Sequence, residues 1–290
     1  MPSALRHRFV TFRWAAVFLA ASPGFAADDA TDEDRVLTLG GAVTEIVYAL
    51  GEEDRLVARD TTSTFPAEAT ELEDVGYMRA LSAEGVLSVD PTLIVSEEGA
   101  GPPETLDLLR EAAVPFVTVP ETYSREGILE KIRVVGEALN TPEKADALAT
   151  KIDAELRAAE ARAADVTDTP KRVLFILSTQ GGRIMAGGTN TAAQAIIEMS
   201  GGVNAVSEFE GYKQMTDEAV SAAAPDVILM MDRGGDHGTG DAELFAMPAI
   251  VTTPAAQTQS VIRMDGLYIL GFGPRTAAAA IELNEKLYGG

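Results

Sequence analysis

The richest chemistry per residue lies in Asp74-Val75-Gly76-Tyr77-Met78-Arg79. A tyrosine beside a glycine, with a guanidinium two residues on, can present an oxygen ligand with a cation close by. As phenolate, tyrosine is a hard anionic donor suited to ferric iron, and tyrosinate is one of the recognised axial ligands of haem. An arginine near the phenolic oxygen favours the ionised form. Taken alone, these residues fit more often a tyrosine capping a hydrophobic edge beside a solvated arginine.

Other candidates are individually weaker. Gly40-Gly41 precede a helical pattern and can bring backbone amides to an anion, although a plain tight turn is the commoner explanation. Glu97-Glu98 open a Gly- and Pro-rich rim loop, and as a sequence-adjacent pair they read as solvated. Gly181 to Gly188 form a loop in which Arg183 can pair with a carboxylate and Met185 can pack on a flat apolar ligand; core packing is the better reading of Met185. His237 sits in a Gly-rich loop and reads as a solvated histidine. There is no His pair with metal spacing, no Gly-x-Ser-x-Gly elbow and no phosphate-binding Gly-Lys-Ser/Thr loop, so nothing asks for catalysis.

The first residues read as an address. Arg6, Arg8 and Arg13 precede a short apolar run, Trp14 to Ala21, and Pro23-Gly24-Phe25-Ala26 has the small residues of a cleavage site. Residues 1–26 are therefore expected to be a signal peptide, and the mature protein to be periplasmic. Loss of those three Arg takes 23 basic residues to 20, against 45 acidic ones. Such a chain offers no basic stripe to nucleic acid. With no cysteine, disulfides and thiolate chemistry are excluded together. Hydrophobic residues, 46% of the chain, suffice for a packed core.

The elements that must position the candidates come in two similar sets. Arg35-Val-Leu-Thr-Leu39 has a counterpart in Arg172-Val-Leu-Phe-Ile-Leu177, and each is followed by glycines and a helical pattern. Glu84 stands seven residues before Pro91, and Glu218 seven before Pro225; each Pro precedes a buried apolar run. Proline stops the helix, and continuous apolar strands between helices indicate a parallel sheet covered on both faces. Between the halves, Pro142 to Ala164 is rich in Ala, Glu and Lys without Gly or internal Pro, so one helix roughly 30 Å long is predicted, with Thr141 as its cap. The fold class is α/β: two Rossmann-like lobes with central parallel sheets, joined by one long helix, with a ligand cleft between them. The expected bounds are 27–140 for the first lobe, 141–166 for the linking helix and 167–290 for the second.

Several segments, in order along nearly the whole mature chain, resemble periplasmic haem-binding proteins of bacterial ABC importers. They are Gly40 to Gly51, Arg59 to Pro66, Val75 to Ser82, Ser96 to Pro103 and Asp265 to Thr276; Gly-Tyr-Met-Arg at 76–79 is the most specific. The resemblance implies that Tyr77 is the axial ligand of ferric haem and that Arg79 hydrogen-bonds to it. Met78, Arg183 and Met185 are expected to support the pocket. It further implies that Glu84 and Glu218 engage arginines of an inner-membrane permease/ATPase complex, one carboxylate per lobe on a two-fold partner. Some relatives hold a second haem through a histidine where this chain reads Met185-Ala-Gly-Gly-Thr-Asn190; none stands here, so one haem and a monomeric binder are expected. The alternatives are a receptor for a siderophore or a corrinoid, or a chelatase-like enzyme on the same fold.

Overall fold

The apolar run that opens the first half becomes β1 (Val36–Leu39), buried at every position. The structure, a computed structural model, describes residues 34–232 and 239–289; the expected signal peptide and His237 lie outside the described residues. After β1 come α1 (Gly41–Ala49), β2 (Leu56–Arg59), β3 (Glu73–Asp74), α2 (Ala83–Leu87), β4 (Leu93–Glu97), α3 (Pro103–Glu111), β5 (Phe116–Val119) and α4 (Arg125–Ala138). The strands pair in parallel in the order β3-β2-β1-β4-β5. Strands covered on both faces need no polar alternation, which is why β1 and β4 are mainly apolar, with Thr38 and Ser96 buried among their aliphatic residues.

The linking helix, α5 (Pro142–Ala164), spans the residues its composition predicts. Its buried stripe of Ala145, Ala149, Ile152, Leu156 and Ala159 recurs at helical spacing. The small residues let α4 approach closely: a Cβ on Gly136 would lie 2.2 Å from that of Ala145. Thr141 occupies the N-cap position but makes no side-chain cap; its hydroxyl donates instead to the Gly136 carbonyl at 3.4 Å.

The second half continues with β6 (Arg172–Ser178), β7 (Ile184–Gly187), α6 (Ala192–Met199), β8 (Val203–Asn204), β9 (Tyr212–Met215) and α7 (Asp217–Ala223). Then follow β10 (Val227–Asp232), α8 (Asp241–Ala246), α9 (Pro254–Thr258), β11 (Val261–Asp265), α10 (Gly266–Leu270) and α11 (Thr276–Tyr288). The sheet runs β11-β10-β6-β7-β9, with β8 paired to β6. Strands β11, β10, β6 and β8 pair in parallel, as expected, but β7 is antiparallel to both β6 and β9. The reason is length. A parallel return needs a crossover of a dozen or more residues, whereas a tight turn through Gly181 and Gly182, at φ 65° and 74°, joins β6 to β7. The segment expected to be a loop at Arg183 to Gly188 is largely strand β7.

More than the strut unites the lobes. One apolar cluster runs from Val36, Val43 and Ile132 through Ile152 and Leu156 of α5 to Phe175, Ile196 and Phe272. The lobes share a core, so each is braced by the other as well as by α5. No helix among the described residues is long and apolar enough to cross a membrane.

Candidate functional site

The carboxyl ends of β4 and β5 in the first lobe face the start of α6 in the second across a cavity of about 710 Å³. Such switch points at strand ends are where open α/β sheets bind ligands. The first lobe contributes Arg79, Glu97, Glu98, Glu121 and Tyr123; the second contributes Asn190, Thr191, Gln194, Glu198 and Leu270.

The loop carrying Tyr77 is firmly held. Gly76 adopts φ 100°, a conformation costly for other residues, and its amide donates to Asp74 Oδ1 at 2.8 Å. Asp74 also accepts from Thr61 Oγ1 at 3.0 Å and pairs with Arg59 at 2.9 Å. Further on, the Tyr77 carbonyl accepts from the Ala80 amide, and the Met78 carbonyl from the Gly101 amide. Side chains then alternate. Tyr77 is 45% exposed, Met78 is buried, and Arg79 is exposed on the cavity wall. Among the described residues neither the Tyr77 hydroxyl nor the Arg79 guanidinium has a hydrogen-bond or ion-pair partner. A phenol and a cation two residues apart thus stand without side-chain partners on a hydrogen-bonded loop, and the cation lines the cavity.

The other expected residues are placed differently. Arg183 is exposed at the β6–β7 turn and Met185 is half-buried within β7; neither is on the cavity wall. Tyr77 is not on that wall either; of its loop, Arg79 is the residue that lines the cavity. Glu84 and Glu218 are exposed in the first turns of α2 and α7, one per lobe, beneath side-chain caps from Ser82 and Thr216. The Gly40 and Gly41 amides are already engaged by Asp60 Oδ1 at 3.0 Å and Thr62 Oγ1 at 3.1 Å, which makes this a tight turn.

A buried ionic cluster at the cavity floor escaped the sequence reading. Lys131 Nζ donates to Glu97 Oε1 at 2.6 Å, to Glu121 Oε2 at 2.7 Å and to the Gly271 carbonyl of the second lobe at 3.3 Å. The lysine side chain is 0% exposed, so Glu97 is not the solvated carboxylate expected from its pairing with Glu98. Burial opposes ionisation of Glu97, but the hydrogen bond from Glu121 and the charge of Lys131 outweigh it and hold its pKa below the usual range. Glu121 goes the other way: burial, then the hydrogen bond and charge of Glu97, push it up to about 9. Burial also raises the Tyr123 phenol, whose ring meets Phe272 of the second lobe edge-on at 5.3 Å. The signal for Lys131 was present. Ile128, Lys131, Ile132 and Val135 fall at one helical face, so a lysine among three buried aliphatics had to find an internal partner.

A sequence profile of the family described as Periplasmic binding protein matches residues 36–267. The chain belongs to that family. It is a substrate-binding protein of the ABC-importer type. Among solved structures of periplasmic binding proteins, it is similar to the periplasmic heme-binding protein BhuT in complex with two hemes. Identity is 41%, the TM-score is 0.83, and 87% of this chain and 97% of that one are covered. The periplasmic heme-binding protein RhuT from Roseiflexus sp. RS-1, in apo form, is 38% identical with a TM-score of 0.85, covering 89% and 98%. A Vitamin B12-binding protein of Vibrio parahaemolyticus is 27% identical over 253 residues, 87% of this chain and 88% of its own.

Proposed function

We propose that this periplasmic binding protein receives ferric haem in the interlobe cavity, with Tyr77 as the axial iron ligand, and delivers it to an ABC permease. The observation that carries this reading is the unpartnered Tyr77 hydroxyl on its anchored loop, two residues before the cavity-lining Arg79. Coordination to iron requires the phenolate, and a guanidinium within reach offsets that charge. Met78 supports the loop from beneath. Arg183 and Met185, off the cavity wall, are assigned no direct contact with the ligand in this reading. The two similar heme-binding structures support haem as the cargo. Glu84 and Glu218, exposed at equivalent places on the two lobes, are the docking points for a two-fold permease. Binding, not turnover, is the activity.

A corrinoid is the second reading, supported by the relatives named as Vitamin B12-binding proteins. Titration of the purified protein with ferric haem, followed by visible spectroscopy, separates the two. The expected result is a tyrosinate-type ferric spectrum that saturates at one equivalent and is lost in Tyr77→Ala. An unchanged spectrum in the variant removes Tyr77 as ligand. Indifference to haem with tight binding of cyanocobalamin replaces haem by a corrinoid.

A further inference from the structure

Lys131 is the centre of a site with more negative charge than it can neutralise. Its three N–H donors are spent on Glu97, Glu121 and the Gly271 carbonyl. The side chains of the two carboxylates are only 12% and 14% exposed. If both were ionised, one uncompensated charge would be buried beside the cavity, where desolvation opposes it strongly. Glu121 Oε1 adds a second observation: it is buried and has no partner as an ionised oxygen. A proton on Glu121 removes both problems, since the carboxyl then donates to Glu97 and the cluster becomes neutral. Carboxylate pairs in such contact hold one proton between them. The upward displacement of Glu121 and the downward one of Glu97 follow from the same arrangement.

We propose that Glu97 and Glu121 share one proton on Lys131, and that this uncharged floor determines whether the cleft can hold an anionic ligand edge. The second half rests on the haem reading, because haem carries two carboxylates. The groups around the floor make the proton matter. Arg79 faces it from the Tyr77 loop, Glu98 from the end of β4 and Tyr123 from the loop before α4; Glu198 of α6 lies across the cavity. Tyr212 of β9 lies within electrostatic reach of Tyr123 and Arg79. Arg79 is thus already outnumbered by Glu98 and Glu198. Loss of the floor proton adds an anion in a poorly hydrated place, enough to weaken a carboxylate ligand on the order of tenfold.

The test has two arms. Infrared spectra of the ligand-free protein should show a protonated carboxylic-acid C=O band at pH 7 that disappears as the pH is raised through about 9. The band should be absent from Glu121→Gln. It should also be absent from Glu97→Gln, where Glu121 ionises as the sole partner of Lys131. Should either variant fail to fold, Glu45→Gln, which removes the other carboxyl raised by burial, should keep the band, and its loss there would overturn the assignment. No band at pH 7 overturns the shared proton. In the second arm, haem affinity is measured from pH 7 to 10. Wild type should lose about tenfold more affinity over that range than Glu121→Gln, since a unit charge has been fixed as neutral in the variant. Parallel profiles overturn the role of the proton in ligand selection. Failure to bind haem at any pH overturns the ligand assignment, while the infrared band still upholds the shared proton.

Discussion

Arg35 and Arg172 hold the same place in the two lobes, each at the entry of its first strand and each gripping the chain behind a helix that bears an exposed glutamate. Arg35 Nε and Nη2 donate to the Asp90 and Val89 carbonyls at 2.8 and 2.6 Å, just past α2. Arg172 Nε and Nη2 donate to the Ala223 carbonyl at 3.1 and 2.9 Å, at the last residue of α7. The backbone repeats the match, for the Arg35 amide donates to Thr92 Oγ1 and the Arg172 amide to Asp226 Oδ2, each residue following the helix-stopping Pro. Replacing Arg172 by Met removes charge-assisted hydrogen bonds to otherwise orphaned carbonyls and should cost about 1–3 kcal/mol. Hydrogen exchange should quicken in α7 and leave α2 unchanged; Arg35→Met should give the converse. Uniform acceleration in both lobes would mean that the clamps are not local.

Those clamps fix the helices that carry Glu84 and Glu218. Reversing the charge of both should abolish ligand-dependent stimulation of the permease ATPase while haem affinity stays within twofold, about 0.4 kcal/mol. Both residues are exposed and lie outside the cavity wall. Joint loss of stimulation and haem affinity would point to disturbed folding instead.

Arg275 spans the lobes. Its Nη2 pairs with Glu45 Oε2 at 2.9 Å, its amide donates to Glu45 Oε1 at 3.1 Å, and its guanidinium lies 3.5 Å from the ring centroid of Phe65. Arg275→Ala leaves Glu45, 5% exposed, as a buried charge without its partner and should cost about 3–5 kcal/mol. Burial already outweighs Arg275 and raises the Glu45 carboxyl above its ordinary 4.5. Folding therefore holds this proton more tightly than the unfolded chain does, so the group's contribution is fully present below 4.5 and is lost as pH rises through the raised value. Without Arg275 the value rises further. Urea melts should show Arg275→Ala losing more stability at pH 8 than at pH 5, whereas equal losses would place the effect in packing alone.

Gly136 tests the close approach of α4 and α5. Alanine is better than glycine in a helix by about 1 kcal/mol. Here, however, the new methyl would meet Ala145 Cβ at 2.2 Å. Overpacking of that kind costs about 1–3 kcal/mol, so Gly136→Ala should melt at a lower temperature than wild type. A higher melting temperature would show that the two helices separate easily.

Much of the layout was legible because it rests on local patterns. The offset repeat of Glu84-to-Pro91 and Glu218-to-Pro225 marks α2 and α7, and composition marks α5, since proline stops and helix propensity act within a few residues. The antiparallel β7 was legible in principle from its tight turn but was hidden by the apolar character it shares with parallel strands. Lys131 was visible as a cation on an apolar face of α4. Its partners were not.

By itself, the sequence determined two α/β lobes, a stiff connecting helix, an acidic chain, and a tyrosine and arginine on one loop. Tertiary structure alone decided that Glu97 and Glu121, 34 and 10 residues from Lys131, converge on it together with Gly271, 140 residues away. It also decided that Arg79 joins the cavity wall while Arg183 and Met185 do not. Periodicity says which face of an element turns inward. Which residues meet across a cleft depends on how sheet ends and lobes pack, and that is set by the shared core.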